Sequence, residues 1–162
     1  MNPTINTILY ATDMGKHMRP VFHYAIDMAN KHDAKIIMLH VIEPFSSSVI
    51  TAIDVYMPEF NAREVRKDGM KKVLKEMQNR LNNFCQEELK KKLSDCKIVS
   101  KVKVVSGHSA ESIVDQAEKL GANLIVIGTH TRPSIISNII GSTARKITQI
   151  SKIPVLIVPV YE

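Results

Sequence analysis

The chain of 162 residues has no tryptophan, only 5% aromatic residues, and two cysteines, Cys85 and Cys96. A pair at that separation fits neither a zinc knuckle nor a redox motif, and two cysteines make a poor disulfide framework. Both are expected to be reduced, with Cys85 a small core residue rather than a nucleophile. Long hydrophobic runs are also missing. No stretch approaches the ~18 apolar residues of a membrane span, and the opening MNPTINTILYATD lacks a charged start followed by a long apolar segment. The expectation is a cytoplasmic chain without membrane contact. Glycine and proline number 6 and 7 and never cluster into a linker, while 44% of residues are apolar. Residues 1–162 are therefore expected to form one domain with one substantial core.

Charge is plentiful, and its sign is uneven. The formal net charge is +6, and most of the excess sits between Ala62 and Lys92, where ten Lys and Arg face five acids. The same segment carries Met70, Val73, Leu74, Met77, Leu81, Phe84 and Leu89 at three- and four-residue steps, the pattern of an amphipathic helix with a solvated basic face. Asp68 with Lys72 and Glu76 with Arg80 add support at i,i+4. With Phe84 as its sole aromatic and no base-reading motif, this face does not favour nucleic acid as a partner.

Short apolar runs alternate with helical patterns along the rest of the chain. Thr7 to Asp13, Lys35 to Ile42, Lys97 to Val105, Asn123 to Gly128 and Pro154 to Val160 read as strands. Arg19 to His32, Ala62 to Leu93, Ser109 to Leu120 and Ser142 to Ser151 read as helices. Repeated strand–helix–strand order predicts an α/β fold, a five-stranded, doubly wound parallel sheet in three layers. The third strand alternates lysines with apolar residues and so belongs near an edge. Glu43 to Asn61 is left as a long connection, bracketed by Pro44 and Pro58, that is either a lid or a short extra helix.

In such a sheet the ligand crevice lies at the carboxyl ends of the strands, where the winding reverses. If strands one and four are neighbours there, Thr12 and Asp13 face Gly128, Thr129 and His130. Glycine at 128 lets a bound group approach the backbone, and Gly141, Ser142 and Thr143 offer N–H donors and hydroxyls at a helix start. The two ends of GTHTRPSIISNIIGST then suit phosphate oxygens. Each feature has a plainer reading: Ser142 or Asp13 as a cap, His40 and His130 as satisfied or solvent-facing histidines, Arg132 as a loop arginine. Their convergence on one crevice favours the ligand. Known phosphate motifs are absent. DMGKHMRP after the first strand has neither the three clustered glycines of a dinucleotide fold nor the hydroxyls of a flavodoxin loop. VVSGHS lacks a receiver's aspartate, and GST lacks the lysine of a P-loop.

ILYATD, LHVIEP, VVSGHSAESIVDQA, GANLIVIGTHTRPSIISNIIGSTARKI and IPVLIVPV together resemble the universal stress protein family, outside the variable stretch from about Ser46 to Leu93. The resemblance implies an adenine nucleotide alpha hydrolase-like, Rossmann-like fold. Members that bind ATP carry Gly-x2-Gly-x9-Gly-[Ser/Thr]. Gly128, Gly141 and Ser142 match its first glycine, last glycine and hydroxyl, whereas Thr131 stands at the second glycine. A side chain there either crowds the phosphates or adds a donor. By the same resemblance Ala11, Asp13 and Val41 contact the adenosine, and Thr12, Ile127, Thr129, Arg132 and Thr143 complete the pocket.

The function expected is therefore binding of ATP or a related adenine nucleotide, in a stress-response or signalling role and without fast turnover. Asp13 could share Mg²⁺ or Mn²⁺ with the triphosphate. No placed catalytic base is legible. The alternatives are a dimeric, non-nucleotide signalling or chaperone-like protein and a slow ATPase. Ile153 to Val160 carries no charge, so an edge strand at 154–160 is expected to be covered by a second copy, with Val155, Ile157 and Val160 in or beside the contact.

Overall fold

The computed structural model describes residues 3–59, 61–87, 97–129 and 140–160. Its strands are β1 (Thr7–Ala11), β2 (Lys35–Ile42), β3 (Val99–Ser106), β4 (Leu124–Gly128) and β5 (Val155–Val158). Its helices are α1 (Arg19–His32), α2 (Ser47–Tyr56), α3 (Ala62–Glu87), α4 (Ser109–Lys119) and α5 (Ser142–Ile150), with a 3-10 turn at Lys16–Met18. The order β3-β2-β1-β4-β5, with every pairing parallel, is the expected doubly wound sheet. β1 and β4 are neighbours, and β3 and β5 are the edges.

Side-chain alternation along the strands divides the core in two. Ile8 and Tyr10 of β1, Ile36 and Met38 of β2 and Leu124 and Val126 of β4 pack with Val21, Phe22, Ala25, Met77 and Leu81, so α1 and α3 cover that face. Leu9 and Ala11, Ile37 and Leu39, and Ile125 and Ile127 pack with Ala110, Ile113, Val114, Ala117 and Ile147 of α4 and α5. Ile8, Leu9, Ile36, Leu39, Ile125 and Ile147 are completely buried, each such side chain contributing about 1.5–3 kcal/mol. The three- and four-residue spacing of these helix residues is what the sheet selects. In α1, Pro20 occupies the first turn, where a missing N–H costs nothing. The helix ends at Asp33, whose φ of 50° its short polar side chain tolerates.

Element ends depart from the sequence reading for identifiable reasons. β1 stops before Thr12 and Asp13. Thr12 N still donates to Leu39 O at 2.9 Å, but Thr12 Oγ1 and Asp13 Oδ1 accept from the N–H groups of Met14 and Gly15 at 3.0 and 2.8 Å. Met14 turns left-handed with φ 65°. Local side-chain acceptors have displaced the strand ladder. Within the connection 43–61 the structure has the extra helix, α2, whose cap is Ser46 accepting from Val49 N at 3.4 Å; none of its residues is buried. The expected continuation of α3 to Leu93 lies outside the described residues, as do the side chains of Phe84 and Cys85.

The edge strand β5 is shorter than 154–160. Ile125 N donates to Pro154 O at 2.9 Å and Thr129 N to Val158 O at 3.0 Å. Residues at even positions therefore face β4, and Val155 and Ile157 direct their N–H and C=O groups outward. Val160 differs from those two. It is only 5% exposed and packs inside, so its side chain belongs to the core and not to a free edge.

Candidate functional site

A cavity of about 280 Å³ opens at the carboxyl ends of β1 and β4. Ala11, Thr12, Asp13, Val41, Ile127, Gly128, Thr129, Gly141, Ser142 and Thr143 all line it. Sequence separations above a hundred residues are thus closed by the β1–β4 pairing, in which Tyr10 stands beside Val126. Thr131, Arg132 and His130 lie outside the described residues. Met18, Leu39, His40, Ser109, Ile113 and Ala144 also line the cavity. Of these, Leu39, His40 and Ser109 carried a usable signal, since they sit at the end of β2 or directly after β3.

The wall divides by chemistry. Ala11, Leu39, Val41, Ile113 and Ile127 provide an apolar slot. Asp13 provides an acceptor. Its Oδ1 is held by Gly15 N at 2.8 Å, but Oδ2 is buried without any hydrogen-bond partner. A buried carboxylate oxygen left unpaired is costly, and a ligand donor or a cation would satisfy it. His40 lies alongside, with Nδ1 donating to the carbonyl of Thr12 at 2.7 Å. That bond fixes the proton on Nδ1 and leaves Nε2 as an acceptor in the neutral ring.

At the other end of the cavity, Gly141 is the N-cap of α5, with φ −57° and ψ 155° that any residue can adopt, and among the described residues no side chain caps the helix. Ser142, Thr143 and Ala144 thus bring first-turn backbone donors and two hydroxyls to the wall, with the positive end of the helix dipole behind them. Thr129 has a structural role that its sequence position concealed. Its carbonyl accepts from Gly141 N at 2.7 Å, and its hydroxyl accepts from Val160 N at 3.1 Å. One residue therefore joins the end of β4 to Gly141 and to the chain beyond β5.

Gly128 has a packing reason to be glycine besides the ligand approach expected from its position. A Cβ there would lie 2.9 Å from Val160 Cγ2 and 3.3 Å from both Met18 Sδ and Val21 Cγ2. These atoms belong to the α1 side of the sheet. Close packing behind the strand demands the missing side chain, whatever approaches from the cavity.

No group of three His, Cys, Asp or Glu side chains that could hold a metal comes together among the described residues. Asp13 Oδ2 is a single hard oxygen, which fits a cation shared with a polyanionic ligand rather than one caged by protein. No helix among the described residues is long and apolar enough to cross a membrane.

Comparison with known proteins agrees with this architecture. The Universal stress protein family profile matches residues 4–159. The chain is 28% identical over 155 residues to the universal stress protein YxiE of Bacillus subtilis, covering 94% of this chain and 98% of that one. It is 27% identical over 165 residues to the universal stress protein MJ0577 of Methanocaldococcus jannaschii, covering 98% and 97%. The solved structure of MJ0577 superposes with a TM-score of 0.70 over 98% of this chain and 99% of that one, at 24% identity in the structural alignment. A universal stress protein solved in complex with cAMP superposes with a TM-score of 0.55 at 20% identity, over 96% and 98%. These structural likenesses concern the fold, and the family assignment rests on the profile match: the chain belongs to the universal stress protein family.

Proposed function

We propose that the cavity between β1, β4 and α5 binds an adenine nucleotide, ATP in the first place, and holds it without fast turnover in a cytoplasmic stress-response or signalling role. The observation that carries this reading is Asp13 Oδ2, buried and unpartnered on the same wall as the uncapped start of α5. A ribose hydroxyl supplies the donor that Oδ2 lacks. Phosphate oxygens take the first-turn N–H groups and hydroxyls of Ser142 and Thr143. The base lies along Ala11, Val41 and Ile127. Were a divalent cation, Mg²⁺ or Mn²⁺, to accompany the nucleotide, Asp13 would be the protein oxygen available to it in place of the ribose contact, and the cation would neutralise phosphate charge. The cAMP complex of a similarly folded universal stress protein is consistent with an adenine nucleotide here.

The test is thermal unfolding with and without ATP and Mg²⁺. Binding only the folded state at a hundredfold excess over Kd adds about 2.7 kcal/mol, which raises Tm by about 5–10 °C for a chain of this size. Asp13→Asn keeps the acceptor for Gly15 N and removes the charge, so its shift should be smaller. No shift in the wild-type chain at millimolar ATP overturns the reading and leaves a non-nucleotide signalling dimer in its place.

We further infer that β5 pairs with its copy in a second chain. Val155 and Ile157 offer an uncharged edge, which antiparallel pairing across a twofold axis satisfies identically in both chains.

A further inference from the structure

On the opposite side of the sheet, the first turns of α1 and the second half of α3 flank another cavity, open to solvent on one side and of about 430 Å³, over β1 and β2. Its inner wall is Tyr10, Met18, Phe22, Met38, Met77 and Leu81, none more than 6% exposed. Tyr10 stacks on Phe22 with centroids 5.0 Å apart. The Tyr10 hydroxyl already donates to Met18 O at 3.2 Å, so this wall presents carbon and sulfur to an occupant. The mouth is polar. Arg19 pairs with Glu87 at 2.9 Å, and Arg80 pairs with Glu76 at 2.9 Å while donating to the carbonyl of Met14.

We propose that this cavity is a second ligand site, for an apolar molecule bearing one carboxylate and of the size of a medium-chain fatty acid. The volume lies within the roughly 300–1,000 Å³ of small-molecule sites. The wall chemistry excludes polar groups from the buried part of the ligand. Thioethers from Met14, Met18, Met38 and Met77 adapt to a flexible chain better than branched side chains do. At the mouth, the guanidinium of Arg19 already holds the carboxylate of Glu87, both side chains being substantially exposed. A ligand carboxylate replaces it like for like at Arg19 and releases Glu87 to water, where its exposed carboxylate is solvated at little cost. The start of α1 has neither a side-chain cap nor an acid in its first turn, so its dipole adds to the preference for an anionic head. The site stands independently of nucleotide binding at the other cavity, although Thr12 and Met18 line both.

The experiment uses the full chain labelled with ¹³C at its methionine methyls, titrated without nucleotide by decanoate and, separately, decanol, both below their aggregation limits. The methyls of Met14, Met18, Met38 and Met77 should shift saturably, while Met28, Met57 and Met70, which are not on the wall, stay in place. Arg19→Gln should weaken decanoate by at least about threefold and leave decanol unchanged. Three results overturn the proposal: no saturable shift, a shift led by the exposed Met57, or an equal effect of Arg19→Gln on acid and alcohol.

Discussion

Gly128→Ala separates two physical accounts of the glycine at the end of β4. If the residue is small to admit a ligand, alanine spares the fold and removes binding. The geometry argues for packing. The added methyl would sit 2.9 Å from Val160 Cγ2 and 3.3 Å from Met18 Sδ and Val21 Cγ2, against an optimum of about 3.5–4.0 Å between carbons. Met18 can swing its thioether away. Val160 cannot, being β-branched, 5% exposed and tied through its N–H to Thr129 Oγ1 at 3.1 Å. Overpacking of this kind costs about 1–3 kcal/mol, offset by about 0.4–1 kcal/mol from the stiffer unfolded chain. The middle of these ranges is a net loss of about 1.3 kcal/mol, a fall in Tm of about 3–5 °C. Denaturant titration at constant m-value measures it. Val160→Ala removes the atom in closest contact, so the double variant should be less destabilised than the sum of the singles. A Gly128→Ala chain that unfolds at the wild-type midpoint yet no longer responds to ATP would falsify the packing account.

Two further outcomes are expected. Ile157→Pro deletes an outward N–H of β5 while leaving the groups that pair with β4, so sedimentation at micromolar concentration should show a wild-type dimer and a monomeric variant; a monomeric wild type, or an unchanged variant, removes the β5 interface. The second concerns pH: the hydrogen bond that Glu111 of α4 accepts from Lys146 of α5 is the main cause holding its carboxyl below the usual range. A lowered folded-state pKa gives stability that is present above the ordinary glutamate range and lost as pH falls through the lowered value. Glu111→Gln should therefore unfold earlier than wild type at neutral pH and low salt, with the two converging in acid and in high salt; parallel curves at all pH values refute the link.

The fold was legible because it depends on periodicity. Continuous apolar runs marked β1, β2, β4 and β5 as strands buried on both faces, which holds for the first three, whereas β5 is an edge strand that is mostly half-buried; the lysines of β3 marked the other edge. The crevice followed from topology once β1 and β4 were neighbours, which is why ten of the expected positions share one cavity. What escaped was whatever depends on one atom's neighbour in space. Gly128 lines the cavity as expected, but the packing constraint from Val160, thirty-two residues on, is visible only in the fold. Val160 itself reads as the end of an exposed strand until its burial is known. The second cavity was invisible because β1, α1 and α3 build it together, and each of its methionines fits an ordinary core pattern in its own segment.

Thr129 shows how far one side chain can bind these levels together. Threonine after an apolar strand is ordinary in sequence, where it stands only as one of the residues expected to complete the pocket. In the fold that hydroxyl accepts from Val160 N at 3.1 Å, its carbonyl accepts from Gly141 N at 2.7 Å, and its own N–H donates to Val158 O at 3.0 Å. The first bond places Val160 against Gly128, and the second sets the start of α5 and hence the donors proposed for phosphate. The third pairs the end of β4 with β5, whose other edge is the proposed dimer contact. Removing only the hydroxyl, as in Thr129→Val, strikes the first of these bonds directly and, because Thr129 itself lines the cavity, changes the wall proposed for the nucleotide as well.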